Sequence, residues 1–528
     1  VTAAAFNISD ARYQSQVTPM LAELRAGRDT VARTWAFGVA ALAADRGIVV
    51  DADLVLEQGR QSIETIDRLR KIVDEAPEFQ LPQKGRKVNG THVADEADHY
   101  KIAAAFAEKI GGEVPPVYSL GVLWTYRNGL WVSLPVEAAA AGIGRSFGGL
   151  KYCRRGSDFS QIAKLACAQV ADDHFFELAP AGIATPAGFW RVADDGGIVC
   201  EKLTPEHRQR MQLEVDPDFE TETPLFDALL DQALGGIAPD GDDGDQIELL
   251  QMAAGGALAR SLWRYRTAIL LLGKTTTGKT TLMKIIKSVF PADQVAATSP
   301  QRWGNEYYTA ALAGKAINVV GELDPHDPIP GGAFKNVVGN DPIDGRHPTH
   351  RPFTFVCQAA HFFNANKLPP TVDRSDAFFR RWRILSFERE VPEERIDPEY
   401  AEKVIVGEIG GVVAWMLNGA KKLATAKALP ETPQHRAALT RWRVGNNSAL
   451  QFLLDTAACR LDPSYQVSGQ ELFAAYTRWA ADAGVRAFGR NGFYEAIDEG
   501  AGRLGVRCKS TRGEAVNVVG VTLAGWAT

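Results

Sequence analysis

The sequence predicts a multidomain α/β protein, on three observations. Residues 267–288 read as a buried strand, a glycine loop and a helix in immediate succession. From about 250 to 392, short continuous apolar runs alternate with helical patterns, as in a parallel sheet covered on both faces. The chain has 528 residues, more than one hydrophobic core organises. With 45% hydrophobic and 23% charged residues, collagen-like and wholly disordered classes are excluded. No window of 18 uninterrupted apolar residues exists, so no membrane partner is expected. No basic stretch leads into an apolar one after Val1, and the six cysteines form no C-x-x-C pair, so reduced thiols and a cytoplasmic location are expected. A net charge of -6 argues against a surface coated with nucleic acid and leaves room for a local basic channel.

Taken in order, residues 1–95 form a helical region of unknown function, with apolar positions at three- and four-residue spacing over 12–25, 30–44 and 54–73. Asp51 and Asp53 imitate the paired aspartates of a polymerase metal site, but their helical setting makes them surface residues. Residues 96–250 form an α+β domain. Two hairpins are expected there, one turning on Asn128-Gly129 and one bracketing 193–196. The acidic loop 239–245 lacks the glycine and the final glutamate of a calcium loop and reads as a domain boundary.

Residues 251–392 carry the chemistry. Gly273, Lys274, Thr275, Thr276, Thr277, Gly278, Lys279 and Thr280 match G-x-x-x-x-G-K-[ST], and Thr281 continues into the helix. Glycines let backbone N–H groups converge on phosphate oxygens, and the helix N-terminus adds a favourable dipole. ATP and Mg²⁺ are therefore the expected cofactors, with Lys279 on the phosphates and Thr280 on the metal. An acidic group is needed at the end of a neighbouring strand. Glu322, closing the apolar run 316–322, supplies it, with Asp324 as a second metal candidate and an ordinary loop glutamate as the alternative. The run 353–358 reads as a strand leading to Asn364 and Asn366, either of which could orient a water. Arg380 and Arg381, adjacent in an apolar setting, need phosphate or carboxylate partners. They read as an arginine finger or as a structural ion pair.

Residues 393–445 form a helical extension, and 446–528 a winged-helix-like module binding DNA or a partner. The module is expected to open with a capping box of Ser468 and Glu471, continue in a helix over 491–502 and end in two strands. Basic residues Arg486, Arg490, Arg503, Arg507, Lys509 and Arg512 offer a modest phosphate-binding face.

The order of these motifs over about 100–528 resembles the superfamily 3 helicases, AAA+ ring motors, and more closely the phage and plasmid primase-helicases related to the poxvirus primase-helicase. The motifs are 273–280, the strand ending at Glu322, the 334–341 stretch, Asn366-Lys367-Leu368-Pro369 and Arg380-Arg381-Trp382. By this resemblance Asn366 is the sensor residue. The resemblance implies an ATP-dependent hexameric DNA helicase that translocates on single-stranded or forked DNA during phage, plasmid or integrated-element replication. It also implies a primase or replication-initiation partner. Lys279, Thr280, Glu322 and Asn366 would come from one subunit and Arg380 or Arg381 from the next. A pore hairpin would grip DNA through Arg346, His347, His350 and Arg351, for which an exposed polar turn is the alternative. The 96–250 domain would be a collar. Rival readings are a DNA loader, packaging or defence NTPase without unwinding, and a nucleotide-gated origin-binding protein.

Overall fold

The computed structural model describes ten helical positions between Val17 and Leu56, and then residues 97–235, 244–346, 352–509 and 516–524. The chain divides into two compact units, Val1–His92 and Val93–Thr528. In the first, Val17, Met20, Ala32, Ala36, Val39, Val55 and Leu56 are buried in one apolar cluster, as the three- and four-residue spacing predicts. Asp53 is exposed there, and Asp51 lies outside the described residues.

The second unit begins with the helix His99–Gly111 and three antiparallel strands, β1 (Val117–Ser119), β2 (Val122–Arg127) and β3 (Leu130–Leu134). Asn128 and Gly129 both have positive φ, 48° and 86°, the backbone that a two-residue hairpin of this hand requires. The helices Val136–Phe147 and Gly156–Gln169 close a small core around Ile102, Phe106, Leu123, Ile143 and Ile162. A second antiparallel sheet follows, β4 (Ile183–Thr185), β5 (Gly188–Val192) and β6 (Ile198–Glu201), with its turn at 193–197.

Beyond the helices Pro224–Ala233 and Gly244–Leu258 lies a five-stranded parallel sheet. Its strands are β7 (Ala268–Gly273), β8 (Val295–Ala296), β9 (Ile317–Val320), β12 (Ala360–Ala365) and β13 (Trp382–Phe387), in the order β13-β7-β12-β9-β8. Alternate residues of one strand enter opposite cores. Ile269 and Leu271 pack with Leu282, Ile286, Met416 and Leu417, whereas Ala268 and Leu270 pack with Trp303, Phe334, Trp382 and Trp442. Burial on both faces is why these strands read as unbroken apolar runs.

One expectation is corrected here. The run 353–358 does not enter the central sheet. β11 (Phe353–Phe355) pairs antiparallel with β10 (Ile343–Gly345) as a separate hairpin, and the central strand is Ala360–Ala365. His361 and Asn364 interrupt the apolar pattern of that strand, yet both are buried.

The helices Tyr400–Gly407, Ile409–Ala426 and Pro433–Gly445 cover the sheet, and the C-terminal module follows. It contains the helices Ser448–Leu454, Gly469–Asp482 and Arg490–Gly500, and the strands β14 (Cys459–Ser468), β15 (Arg507–Lys509) and β16 (Asn517–Leu523) in the order β14-β16-β15. The sheet thus has three strands, where two were expected. β14 is exposed along most of its length, so no apolar alternation marks it. Ser468 stands at the N-cap, but its side chain makes no capping hydrogen bond, so the expected capping box does not form. Of the six cysteines, none is in a disulfide, and Cys153, Cys167, Cys357 and Cys459 are buried. No single helix among the described residues is long and apolar enough to cross a membrane. The acidic loop 239–245 lies almost wholly outside the described residues.

Candidate functional site

The glycine loop runs from the C-terminal end of β7 into the helix Lys279–Ser288. Two glycines are demanded by the geometry. A Cβ on Gly273 would stand 2.2 Å from the Phe387 carbonyl oxygen on the adjacent strand, and Gly278 has φ +85° at the helix N-cap. Thr276 also has positive φ, 57°, and its carbonyl accepts a hydrogen bond from the Val391 N–H at 2.8 Å. The segment after β13 therefore braces the loop, and Lys274 joins it through an exposed ion pair with Glu390 at 3.0 Å.

Lys279 is buried. Its ammonium donates to the Gly273 carbonyl at 2.7 Å, to the Lys274 carbonyl and to the Thr277 hydroxyl at 3.2 Å. Burial lowers its pKa, and the charge of Glu322 opposes that shift, so carboxylate and ammonium feel each other across the site. Thr275, Thr280 and Thr281 lie at the loop tip and along the first helical turn, with Thr275 and Thr280 exposed.

β12 lies between β7 and β9. Glu322 follows β9 and Asn366 follows β12, and the Asn366 Nδ2 donates to Glu322 Oε1 at 2.7 Å. The two strand ends thus present an amide and a carboxylate as one hydrogen-bonded pair beside the cradle. Asn364, within β12, is 2% exposed, and neither of its amide atoms has a partner. Asp324 is exposed, and its Oδ1 accepts from the His326 N–H at 2.8 Å. That is a turn-capping role, and among the described residues no cluster of His, Cys, Asp and Glu has metal-ligand geometry.

Arg380 and Arg381 stand at the other end of the sheet. Trp382 pairs with Ala268 and Phe387 with Gly273, so the arginines adjoin the start of β7 while the cradle opens at its end. At about 3.3 Å per residue the separation is about 17 Å, beyond the reach of an arginine side chain. Arg380 is exposed. Arg381 is partly buried, and its Nη1 donates to the Ala377 carbonyl at 2.6 Å. Burial lowers the Arg381 pKa, with the Arg380 charge adding to the shift.

Arg346 begins the loop that joins β10 to β11, in an ion pair with Glu306 at 3.2 Å and 5.9 Å from the Tyr307 ring. His347, His350 and Arg351, expected at its tip, lie outside the described residues.

A cavity of about 280 Å³ adjoins the cradle, lined by Thr276, Gly278 and Thr281 from the loop and by Leu229, Ile396 and Tyr400 among others. Sequence reasoning missed it. Its walls come from three segments far apart in the chain, of which only the glycine loop carries a motif.

Residues 271–381 match the model of a family described as one of unknown function, DUF5906. The matched span contains the candidate residues from Gly273 to Arg381. No curated protein matches the chain. Two apo structures of the NrS-1 C-terminal region align with it at 12% identity, with TM-scores of 0.43 and 0.42, covering 81% of this chain and 100% of that one.

Proposed function

We propose that the protein is an ATP-hydrolysing motor of the AAA+ superfamily 3 type that assembles as a ring, as a hexamer, and moves single-stranded or forked DNA. The observation that carries the reading is the division of the site. A phosphate cradle with Lys279, and the Glu322 and Asn366 pair beside it, stand at one end of the parallel sheet. Arg380 and Arg381 stand at the other, out of reach of their own cradle, which supports a role for them at another copy's nucleotide.

Within one subunit, loop N–H groups and Lys279 hold the phosphates, and the 280 Å³ cavity accepts the base and sugar, its apolar Leu229 and Ile396 walls suiting a flat ring. The Thr280 hydroxyl and Glu322 are oxygen donors that fit Mg²⁺, which when bound would neutralise charge between the phosphates. Glu322 polarises the attacking water and Asn366 fixes the carboxylate's orientation through its 2.7 Å bond. Of the two arginines, Arg380 is free to reach a neighbour, because Arg381 is engaged with Ala377. Arg346, with the hairpin tip beyond it, would contact DNA phosphates without reading sequence.

The test is complementation. Arg380→Ala and Lys279→Ala proteins, each inactive alone, should recover part of the wild-type ATPase rate when mixed, because some interfaces then pair an intact cradle with an intact arginine. Specific activity should also rise with protein concentration. Single particles hydrolysing ATP at an undiminished rate on dilution would refute the shared site. A fork-unwinding assay then separates a helicase from a loader, packaging or defence NTPase.

The C-terminal module has the helix and strand order of a winged helix. The exposed residues of its Arg490–Gly500 helix include Glu495, Asp498 and Glu499, and Glu499 pairs with Arg374 of the motor at 3.2 Å. This acidity favours docking of a primase or replication-initiation protein over reading of an origin sequence. A cytoplasmic location completes the proposal.

A further inference from the structure

Apart from the glycine loop, the 280 Å³ cavity has two walls. The helix Pro224–Ala233 supplies Ala228, Leu229 and Gln232, and the segment 391–400, far later in the chain, supplies Ile396 and Tyr400 among others. The helix does not fix its own start. Thr223 stands at the N-cap, yet its side chain makes no capping hydrogen bond. The next two N–H groups meet instead a carboxylate from the motor's helical extension. Leu225 N–H donates to Glu408 Oε1 at 2.9 Å, and Phe226 N–H donates to Glu408 Oε2 at 2.8 Å.

Glu408 is 6% exposed and stands where the helix Tyr400–Gly407 meets the helix Ile409–Ala426. A glutamate is seldom buried unless it is paired. Here each oxygen takes one backbone N–H, and the negative charge lies at the positive end of the helix dipole. Two further contacts complete the anchor. The Tyr400 hydroxyl donates to the Leu225 carbonyl at 2.7 Å, and the Phe226 ring meets Trp415 edge to face at 5.0 Å. Asp397, on the same wall as Tyr400, accepts from the Glu399 N–H at 2.9 Å and pairs with Lys403 at 2.6 Å. These groups are committed to the protein, so what they and the helix give a base and sugar is a fixed shape. Glu408 itself does not line the cavity.

We propose that Glu408 is a positioning residue for nucleotide: its carboxylate locks the helix Pro224–Ala233 against the 391–400 segment, and the site thereby favours a nucleotide over a bare polyphosphate. The inference rests on the proposed nucleotide reading of the cradle and cavity. Glu408→Gln leaves one acceptor oxygen for two N–H groups and turns a new donor towards one of them. The start of the helix is then loosened, and ligand affinity falls with the fraction of protein whose wall is in place.

The experiment titrates the full chain by calorimetry with adenylyl imidodiphosphate, a non-hydrolysable ATP analogue, and separately with inorganic tripolyphosphate, both with Mg²⁺. Each carries phosphates for the cradle, but only the first carries a base and sugar. The wild type should bind the nucleotide more tightly. Glu408→Gln should weaken nucleotide binding by about tenfold, the size of a lost hydrogen bond to a charged group, and leave tripolyphosphate affinity unchanged. A carboxylate with a merely structural role would lower the melting temperature and leave the ratio of the two affinities at its wild-type value. That result overturns the proposal and leaves the nucleotide reading standing. A wild type that binds the two ligands equally, or binds neither, overturns the nucleotide reading and the proposal with it. Should Glu408→Gln not fold, Tyr400→Phe keeps the ring, removes the donor to Leu225 and decides in its place. A loss confined to the nucleotide supports the anchor, and equal or absent losses overturn it.

Discussion

Acid should destabilise the motor through two buried histidines. His361 in β12 is 3% exposed, with its Nδ1 facing the Asn318 amide nitrogen at 3.4 Å. His435 is 1% exposed, and its Nδ1 accepts from the Ile384 N–H at 3.1 Å. Each acceptor role requires the neutral ring. Burial depresses the His361 pKa from 6.5 to about 3, and burial with the charges of Arg383 and Arg436 depresses that of His435 from 6.5 to about 4. Both folded values lie below the unfolded one, so the unfolded chain binds more protons in between. Their contribution is complete above pH 6.5 and is lost as the pH falls towards 4 and then 3. At 1.36 kcal/mol per pH unit, each histidine removes nearly 3 kcal/mol by pH 4.5, or about 5 kcal/mol together. That is a large part of a typical domain stability of about 5–15 kcal/mol. The assay is urea unfolding at pH 7.5 and 4.5, followed by tryptophan fluorescence, since the Trp303 ring lies 4.8 Å from His361 and the Trp382 and Trp442 rings meet edge to face in the same core. A double variant, His361→Asn with His435→Asn, keeps an acceptor near each Nδ1. It should begin less stable and lose about 5 kcal/mol less between the two pH values. A wild type and a double variant with the same pH dependence would refute the reasoning.

Four further outcomes follow from the geometry. Gly419→Ala should destabilise the protein by about 3 kcal/mol or more in the same unfolding assay, because a Cβ there would stand 1.9 Å from the Gln251 carbonyl oxygen and force apart the helices Gly244–Leu258 and Ile409–Ala426. Asn366→Ala should lower the ATPase rate by about a hundredfold while leaving nucleotide affinity within about threefold, as read by steady-state kinetics and fluorescent-nucleotide titration, since it removes a donor that orients Glu322. Lys274→Ala, which breaks an ion pair whose side chains are 81% and 54% exposed, should change stability by less than about 0.5 kcal/mol. Lys279→Ala, by contrast, should abolish measurable nucleotide binding in the same titration.

Legibility in the sequence followed the range of the interactions. The hairpin at Asn128 and Gly129 was readable because two adjacent residues carry its positive φ values. The same holds for the cradle in part, since Gly278 answers to its own φ of +85° at the helix start, whereas the contact that demands Gly273 comes from Phe387 on the neighbouring strand. Residues 353–358 misled because an alternation of apolar residues suits a surface hairpin as well as a central strand. The true strand hid because His361 and Asn364 look like loop residues until burial between two cores is known. β14 was invisible for the opposite reason, since its residues face solvent and carry no periodic apolar signal.

The order of side chains along the chain therefore determined the phosphate cradle, the carboxylate Glu322 and the amide Asn366 as local chemistry. Only the tertiary structure decided that β12 lies between β7 and β9, which brings Glu322 and Asn366 into hydrogen-bond contact. It also decided that Arg380 and Arg381 face away from their own cradle, and that the Glu408 carboxylate meets the start of the helix Pro224–Ala233. The physical reason is one of scale. Turns and helix starts are set by neighbouring torsions and hydrogen bonds, whereas strand order and buried charge are set by packing between segments remote in the chain.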